Sequence, residues 1–344
     1  MQYVDFGKTG IKVSEIGFGA IPIQRVSFDE AERIIRTAIG LGFTLFDTAN
    51  AYGDSEEKIG RAITGVRDQL VLCTKSTAKD PSTMQRHLEQ SLKSLRTDYI
   101  DVYHIHNIRD RESYDRLMAP DSVFDFMKTA QAKGQIRFLA ASVHSLEMAK
   151  LTLEAGFFAV VQMPLNFISY EFCDEALPLA KTHNLAVLGM KPLGGSAIED
   201  APLAFRYLQQ FPSAFPIPGC QRVEEVEQIA RLYERKTPLT QADLETIDRI
   251  RSELGRTFCR ACGYCEPCSV GIKIQLVMKF EAIKARFPHE KMVDFLEESM
   301  VKVEQCDNCG ECLARCPYDL PIPETIRTLS QKYFLYKAEQ TEKA

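Results

Sequence analysis

Nowhere in the 344 residues is there an unbroken apolar run of the roughly 18 residues that reads as a membrane-spanning helix. Positive charge is not in excess either: 42 lysines and arginines stand against 47 aspartates and glutamates, a formal net charge of -5. Such a balance gives no electrostatic footprint for nucleic acid and no polybasic anchor for anionic lipid. The opening Met1-Gln2-Tyr3-Val4-Asp5 lacks the basic stretch and apolar core of a secretory signal, so the cytoplasm is the expected compartment. Low-complexity runs are missing, and with 45% hydrophobic and 26% charged residues the composition is that of an ordinary globular protein. The length accommodates one barrel of about 250 residues and a small appended module.

What is present over the first 240 or so residues is an alternation of two textures. Short β-branched and apolar runs at 16–20, 44–48, 70–74, 100–106, 136–142, 159–164, 186–191 and 214–218 predict strands. Amphipathic stretches at 29–41, 81–95, 123–132, 146–155, 174–182 and 223–233 predict helices. This order argues for a parallel sheet closed into a (β/α)8 barrel, an α/β fold. The open doubly wound alternative lacks its GxGxxG turn, because Pro22 ends Gly17-Phe18-Gly19-Ala20-Ile21-Pro22 after the first strand. Before it, Gly7-Lys8-Thr9-Gly10 between Tyr3–Phe6 and Lys12–Ser14 signals a hairpin that would close the barrel bottom. Residues 107–121 read as the longest interior loop, and 240–254 as a helix capped by Thr240 and stopped by Gly255.

Chemistry in such a barrel sits at the C-terminal ends of the strands. There the chain carries Asp47, then Tyr52 in the following loop, Lys75 and His106. A phenol is a weak acid, with a reference pKa of about 10, and a nearby ammonium favours its phenolate. A carboxylate would hold the ammonium in place, and an imidazole would orient a substrate oxygen. Together these groups suit delivery of a proton to a carbonyl oxygen while hydride reaches carbon. Strand alternation puts His104 one layer below His106, as a packing residue.

The strings Asp47-Thr48-Ala49-Asn50-Ala51-Tyr52-Gly53, Leu72-Cys73-Thr74-Lys75 and Asp98 to His106, with Phe6-Gly7-Lys8-Thr9-Gly10 at the start, resemble the aldo-keto reductases over roughly residues 1–233. The resemblance implies Tyr52 as proton donor, Lys75 as the group that lowers its pKa, Asp47 as the lysine's partner and His106 as the carbonyl orienter. It also implies a nicotinamide site from Ser142, Gln162, Met190, Lys191, Pro192, Leu193, Gly194, Gly219, Gln221 and Arg222. The family's usual asparagine after the serine is Val143 here, which leaves Ser142, Gln162 or His144 to anchor the carboxamide. NADPH is the family's default cofactor. With Gln221 and Glu225 where basic side chains are usual, NADH stays open.

Eight of the eleven cysteines crowd the C-terminal quarter, which in a reducing compartment reads as metal ligation. Cys306-x2-Cys309-x2-Cys312-x3-Cys316-Pro317 is the bacterial ferredoxin run for a [4Fe–4S] cluster. Cys259-x2-Cys262-x2-Cys265-x2-Cys268 is one residue short of it. With the fourth ligands exchanged between motifs, Cys259, Cys262, Cys265 and Cys316 hold one cluster, and Cys306, Cys309, Cys312 and Cys268 the second. A single cluster, or zinc on the first motif, stays open. Two helices broken at Phe287-Pro288-His289 separate the motifs and resemble helical two-cluster ferredoxin modules. The expected division is therefore a barrel over 1–255, a helical iron–sulfur module over 256–330 and a tail over 331–344.

Two functions compete on these residues. One is an NAD(P)H-dependent oxidoreductase that interconverts a small-molecule carbonyl and alcohol, its clusters structural or docking an electron-transfer protein. The other is a ferredoxin-linked electron-transfer enzyme, with a non-catalytic nicotinamide or redox sensor behind it.

Overall fold

In the computed structural model, a hairpin of β1 (Tyr3–Asp5) and β2 (Lys12–Ser14) pairs antiparallel, Val4 opposite Val13. The structure describes residues 1–255 and 257–341. Arg256, where sequence texture starts the appended module, and residues 342–344 of the expected tail lie outside the described residues.

Eight strands follow: β3 (Phe18–Gly19), β4 (Leu45–Asp47), β5 (Val71–Ser76), β6 (Ile100–Ile108), β7 (Ile136–Val143), β8 (Val160–Pro164), β9 (Ala186–Met190) and β10 (Ala214–Pro216). All pair in parallel with their sequence neighbours. The sheet curls until its ends meet. The Gly17 N–H donates to the Pro216 carbonyl at 2.9 Å and the Gly19 N–H to that of Pro218 at 2.8 Å. A Cβ on Gly19 would stand 2.6 Å from the Ile217 oxygen, so the seam closes only with glycine there. This is a (β/α)8 barrel.

Its interior is filled, not hollow. Leu45, Val71, Cys73, Val102, Ala140, Val160, Leu188 and Phe215 form one buried cluster, into which the hairpin region inserts Phe6 and Val13. The hairpin therefore plugs one end and leaves the strands' C-terminal ends for polar groups. Among the described residues no helix is long and apolar enough to cross a membrane.

The helices Pro81–Leu95 and Val123–Ala132 match their apolar periodicity. Other stretches differ from expectation. Residues 107–121 are not a loop, since β6 runs to Ile108 and a helix spans Arg111–Met118. Asp110 caps that helix by accepting from the Ser113 N–H at 2.7 Å, and Tyr114 and Leu117 bury its inner face, a pattern too sparse for periodicity to show. The helix expected over 174–182 begins at Phe172 as a π turn and becomes α-helical over Leu177–Thr182. Pro178 has no N–H to give the carbonyl four residues back. The helix Ser55–Ala62 carries too many polar residues to stand out in the sequence, and Ala201–Leu208 is short, with Pro202 in its first turn.

Contacts divide the chain into Met1–Asp243 and Leu244–Ala344, and the helix Gln241–Leu254 runs through that point. In the second unit, Ile274–Met278, Phe280–Lys284 and His289–Lys302 are helical. The helix Ile322–Thr341 takes in the described part of the stretch assigned above to a tail. Tyr333 explains the difference. It is fully buried with Val277, Phe280, Leu296 and Met300, so the last helix is part of this unit's core.

Candidate functional site

Asp47 ends β4, and Lys75 lies one residue from the end of β5 with its side chain on the same inward face as Val71 and Cys73. Lys75 Nζ donates to both Asp47 carboxylate oxygens at 2.8 and 2.7 Å, and to the Thr48 carbonyl. Burial works against the charge on Lys75, but Asp47 first and Tyr52 second outweigh it, and the pKa lies above the ordinary lysine value. On the carboxylate, burial pushes up and Lys75 pulls back. A pair this buried is costly to desolvate and holds because both partners are satisfied.

The loop after β4 brings Tyr52 alongside. The Asn50 N–H donates to the Lys75 carbonyl at 3.0 Å and the Tyr52 N–H to the Ala49 carbonyl at 2.9 Å. Lys75 Nζ lies 5.3 Å from the centre of the Tyr52 ring, and the His106 ring meets Tyr52 edge-on at 5.9 Å. Burial, then the charge of Lys75, pulls the His106 pKa down to about 3, so the imidazole is neutral. His106 Nδ1 is buried with no partner among the described residues. His104 is fully buried a layer below and bonds the Thr74 carbonyl through Nδ1 at 3.1 Å.

Behind this group stands Glu56, which strand-end reasoning passed over. Its carboxyl accepts from Thr74 Oγ1 at 2.6 Å, and burial pushes its pKa up. It sits in a helix whose opening Ser55-Glu56-Glu57-Lys58 reads as a solvated face, although Glu56 and Lys58 are both buried.

The residues expected to hold a nicotinamide fall in two places. Ser142 and Gln162 are register partners on β7 and β8, both buried. Gln162 Nε2 reaches an Asp47 oxygen at 3.3 Å, while Oε1 has no partner among the described residues. Ser142 Oγ accepts from the Asn107 N–H at 2.7 Å, which leaves its own proton free to donate. One hydroxyl donor beside one orphaned amide acceptor fits a carboxamide. Val143 is buried and has no amide to offer.

Met190 ends β9, packed partly against the barrel core, and Lys191 follows in the left-handed region at φ +56°. The turn of Pro192, Leu193 and Gly194 is less open to a phosphate than its glycines suggest, because the Gly194 N–H donates to the Lys191 carbonyl at 2.9 Å. After β10, Gly219 lies against Pro22. Glu225 accepts from the Gln221 and Arg222 N–H groups at 2.8 and 3.2 Å and holds the Arg222 guanidinium at 2.9 Å. The nearby cation of the sequence thus has an acidic neighbour, although its side chain stays exposed.

In the second unit, one cavity is lined by Cys259, Cys262, Cys265 and Cys316. Another is lined by Cys268, Cys306, Cys309 and Cys312. Each cavity thus draws three cysteines from one motif and the fourth from the other. Burial pushes the Cys265 thiol up to about 12. Among the described residues no three His, Cys, Asp or Glu side chains are placed to share one ion. Cys73, Cys173 and Cys220 are buried in the first unit.

Residues 15–201 match the model of the Aldo/keto reductase family and residues 258–321 that of a 4Fe-4S dicluster domain. Aldo-keto reductase YhdN of Bacillus subtilis is 36% identical over 208 residues, which cover 55% of this chain and 61% of that protein. L-galactose dehydrogenase of Arabidopsis thaliana is 27% identical over 216 residues, covering 57% of this chain and 67% of that one. An aldo-keto reductase of Klebsiella pneumoniae in complex with NADPH superposes with a TM-score of 0.63 at 26% identity, covering 73% of this chain and 95% of that structure.

Proposed function

The chain belongs to the aldo/keto reductase family and carries a 4Fe-4S dicluster domain after the barrel, and on that premise we propose that it interconverts a carbonyl and an alcohol with NAD(P)H at the barrel mouth. The observation that carries this is the meeting of Lys75, clamped by Asp47, with the Tyr52 ring and His106.

When bound, nicotinamide supplies the hydride to the carbonyl carbon or takes it back from the alcohol. Tyr52 gives its hydroxyl proton to the carbonyl oxygen, and the charge on Lys75 stabilises the phenolate left behind. Asp47 keeps Lys75 charged and in place. His106, held neutral, donates a hydrogen bond to the same oxygen and orients it. Ser142 and Gln162 would hold the carboxamide, with Met190, Lys191, Pro192, Leu193, Gly194, Gly219, Gln221 and Arg222 along the rest of the cofactor. The NADPH in the Klebsiella structure supports NADPH here. The carboxylate of Glu225 beside Arg222 favours NADH, because its negative charge offsets the arginine's and opposes a 2′-phosphate.

The two four-thiol cavities support two [4Fe–4S] clusters, on Cys259, Cys262, Cys265 and Cys316 and on Cys268, Cys306, Cys309 and Cys312. A cluster takes up one electron at a time, so an electron-transfer protein is the natural second partner. The same cavities favour the second reading, in which such a carrier exchanges electrons with the substrate.

Tyr52→Phe tests the first reading. In anaerobically prepared full chain, kcat for a panel of small aldehydes and ketones should fall by about 10²- to 10⁴-fold. NADH and NADPH affinity and iron content should stay unchanged. Undiminished carbonyl reduction overturns the mechanism.

A further inference from the structure

β6 carries one residue too many just where the proposed catalytic histidine sits. Ile105 pairs with Ala141 and Ile108 with Val143, so three steps along β6 match two along β7. An extra residue in one strand is a bulge, and bulges beside active sites re-aim side chains. The bulge is absorbed at Asn107, whose φ of +63° lies in the left-handed region. Asparagine is among the few residues other than glycine that enter that region readily. The consequence is a backbone group turned inward. The Asn107 N–H donates to the buried Ser142 Oγ at 2.7 Å.

A serine hydroxyl has one proton and two lone pairs. With one lone pair filled by Asn107, Ser142 is held at one distance from β6 with its own proton directed elsewhere. Its register partner Gln162 exposes an orphaned acceptor beside it. We infer that Asn107 is a positioning residue for the cofactor: its left-handed bulge conformation locks Ser142 as the hydrogen-bond donor to the nicotinamide carboxamide, next to His106 on the same strand. This deepens the proposed function and rests on its assignment of Ser142.

The prediction concerns backbone conformation more than the asparagine amide. Asn107→Gly keeps the left-handed region accessible, whereas Asn107→Val, β-branched, opposes it. NADPH and NADH are each titrated against the cluster-loaded full chain by nucleotide fluorescence, in Asn107→Gly, Asn107→Val, Ser142→Ala and the Asn107→Val/Ser142→Ala double variant. Asn107→Val and Ser142→Ala should each weaken the better-bound nucleotide about tenfold, the scale of one hydrogen bond. Asn107→Gly should stay within about twofold of the parent. The double variant should bind no more weakly than Ser142→Ala alone, because coupled residues are not additive.

A purely structural Asn107 would multiply the two losses, and that result overturns the inference. So does parental binding by Asn107→Val when Ser142→Ala is weakened, and in that case the assignment of Ser142 survives. Parental binding by Ser142→Ala sinks that assignment and the inference with it. Should Asn107→Val fail to fold, Asn107→Ala makes the same comparison with a smaller strain.

Discussion

At the barrel mouth, Lys75 donates to three protein acceptors, and the Asp47 oxygens also receive Gln162. In the C-terminal unit, Cys306 and Cys309 reach side-chain contacts only at 4.0 Å, with Asn308 and Ser269. The ion pair of the first region is satisfied by protein groups. The second region has cavity walls lined by sulfur. A preorganised polar site is stabilised by the fold and spends that stability on geometry, whereas a thiol-lined cavity takes stability from its ligand.

The largest test of this contrast removes the iron. Chelation under anaerobic conditions should strip hydrogen-exchange protection from the amides around both cavities, a loss on the order of 10 kcal/mol if it resembles other metal-held domains. The strands of the barrel should keep theirs. Protection retained without iron would break the contrast, by showing that the core of Val277, Phe280, Leu296, Met300 and Tyr333 holds the unit alone.

Next in size is the barrel's own debt to its ion pair. Lys75→Met leaves the Asp47 carboxylate buried and unpaired, and urea denaturation should show about 3–5 kcal/mol of lost stability. Asp47→Asn added to it should recover part of the loss. A change under about 1 kcal/mol would mean that Asp47 simply takes up a proton when Lys75 is gone, in line with the upward push burial already exerts on it.

The smallest effect is read against pH. His106 has its folded pKa pulled from 6.5 down to about 3. Between those values the unfolded chain binds a proton that the folded chain refuses. Stability is therefore present above about pH 6.5 and drains as pH falls toward 3, by about 1.4 kcal/mol per pH unit within the window. His104, also pulled down by burial, acts in the same sense, and Asp47 and Glu56, pushed up by burial, in the opposite one. The measurement is accordingly a difference: His106→Asn should flatten the slope of barrel stability relative to the parent between pH 6 and pH 4. An unchanged slope would place a proton on His106 in the folded state.

The two regions were also unequally legible. The cysteine motif of the dicluster domain announces itself because its spacing is a local property written in 11 consecutive residues from Cys306 to Cys316. The eight strands were legible from their β-branched runs, and Asp47, Lys75 and His106 from standing at strand ends. The helix Arg111–Met118 was not, having only Tyr114 and Leu117 to bury. Glu56 was hidden because a charged residue in a charged segment reads as solvent-facing, whereas in the fold it is buried and accepts from Thr74 on β5.

By itself the sequence determined the barrel's strand order, the module's cysteine motifs and the residue types at the strand ends, since periodicity, turn chemistry and ligand spacing act over a few residues. Only the tertiary structure decided that Gln162 reaches Asp47 across 115 positions and that Asn107 turns left-handed to meet Ser142. Those contacts depend on how a closed sheet registers its strands, and register is a property of the whole barrel that no local window contains.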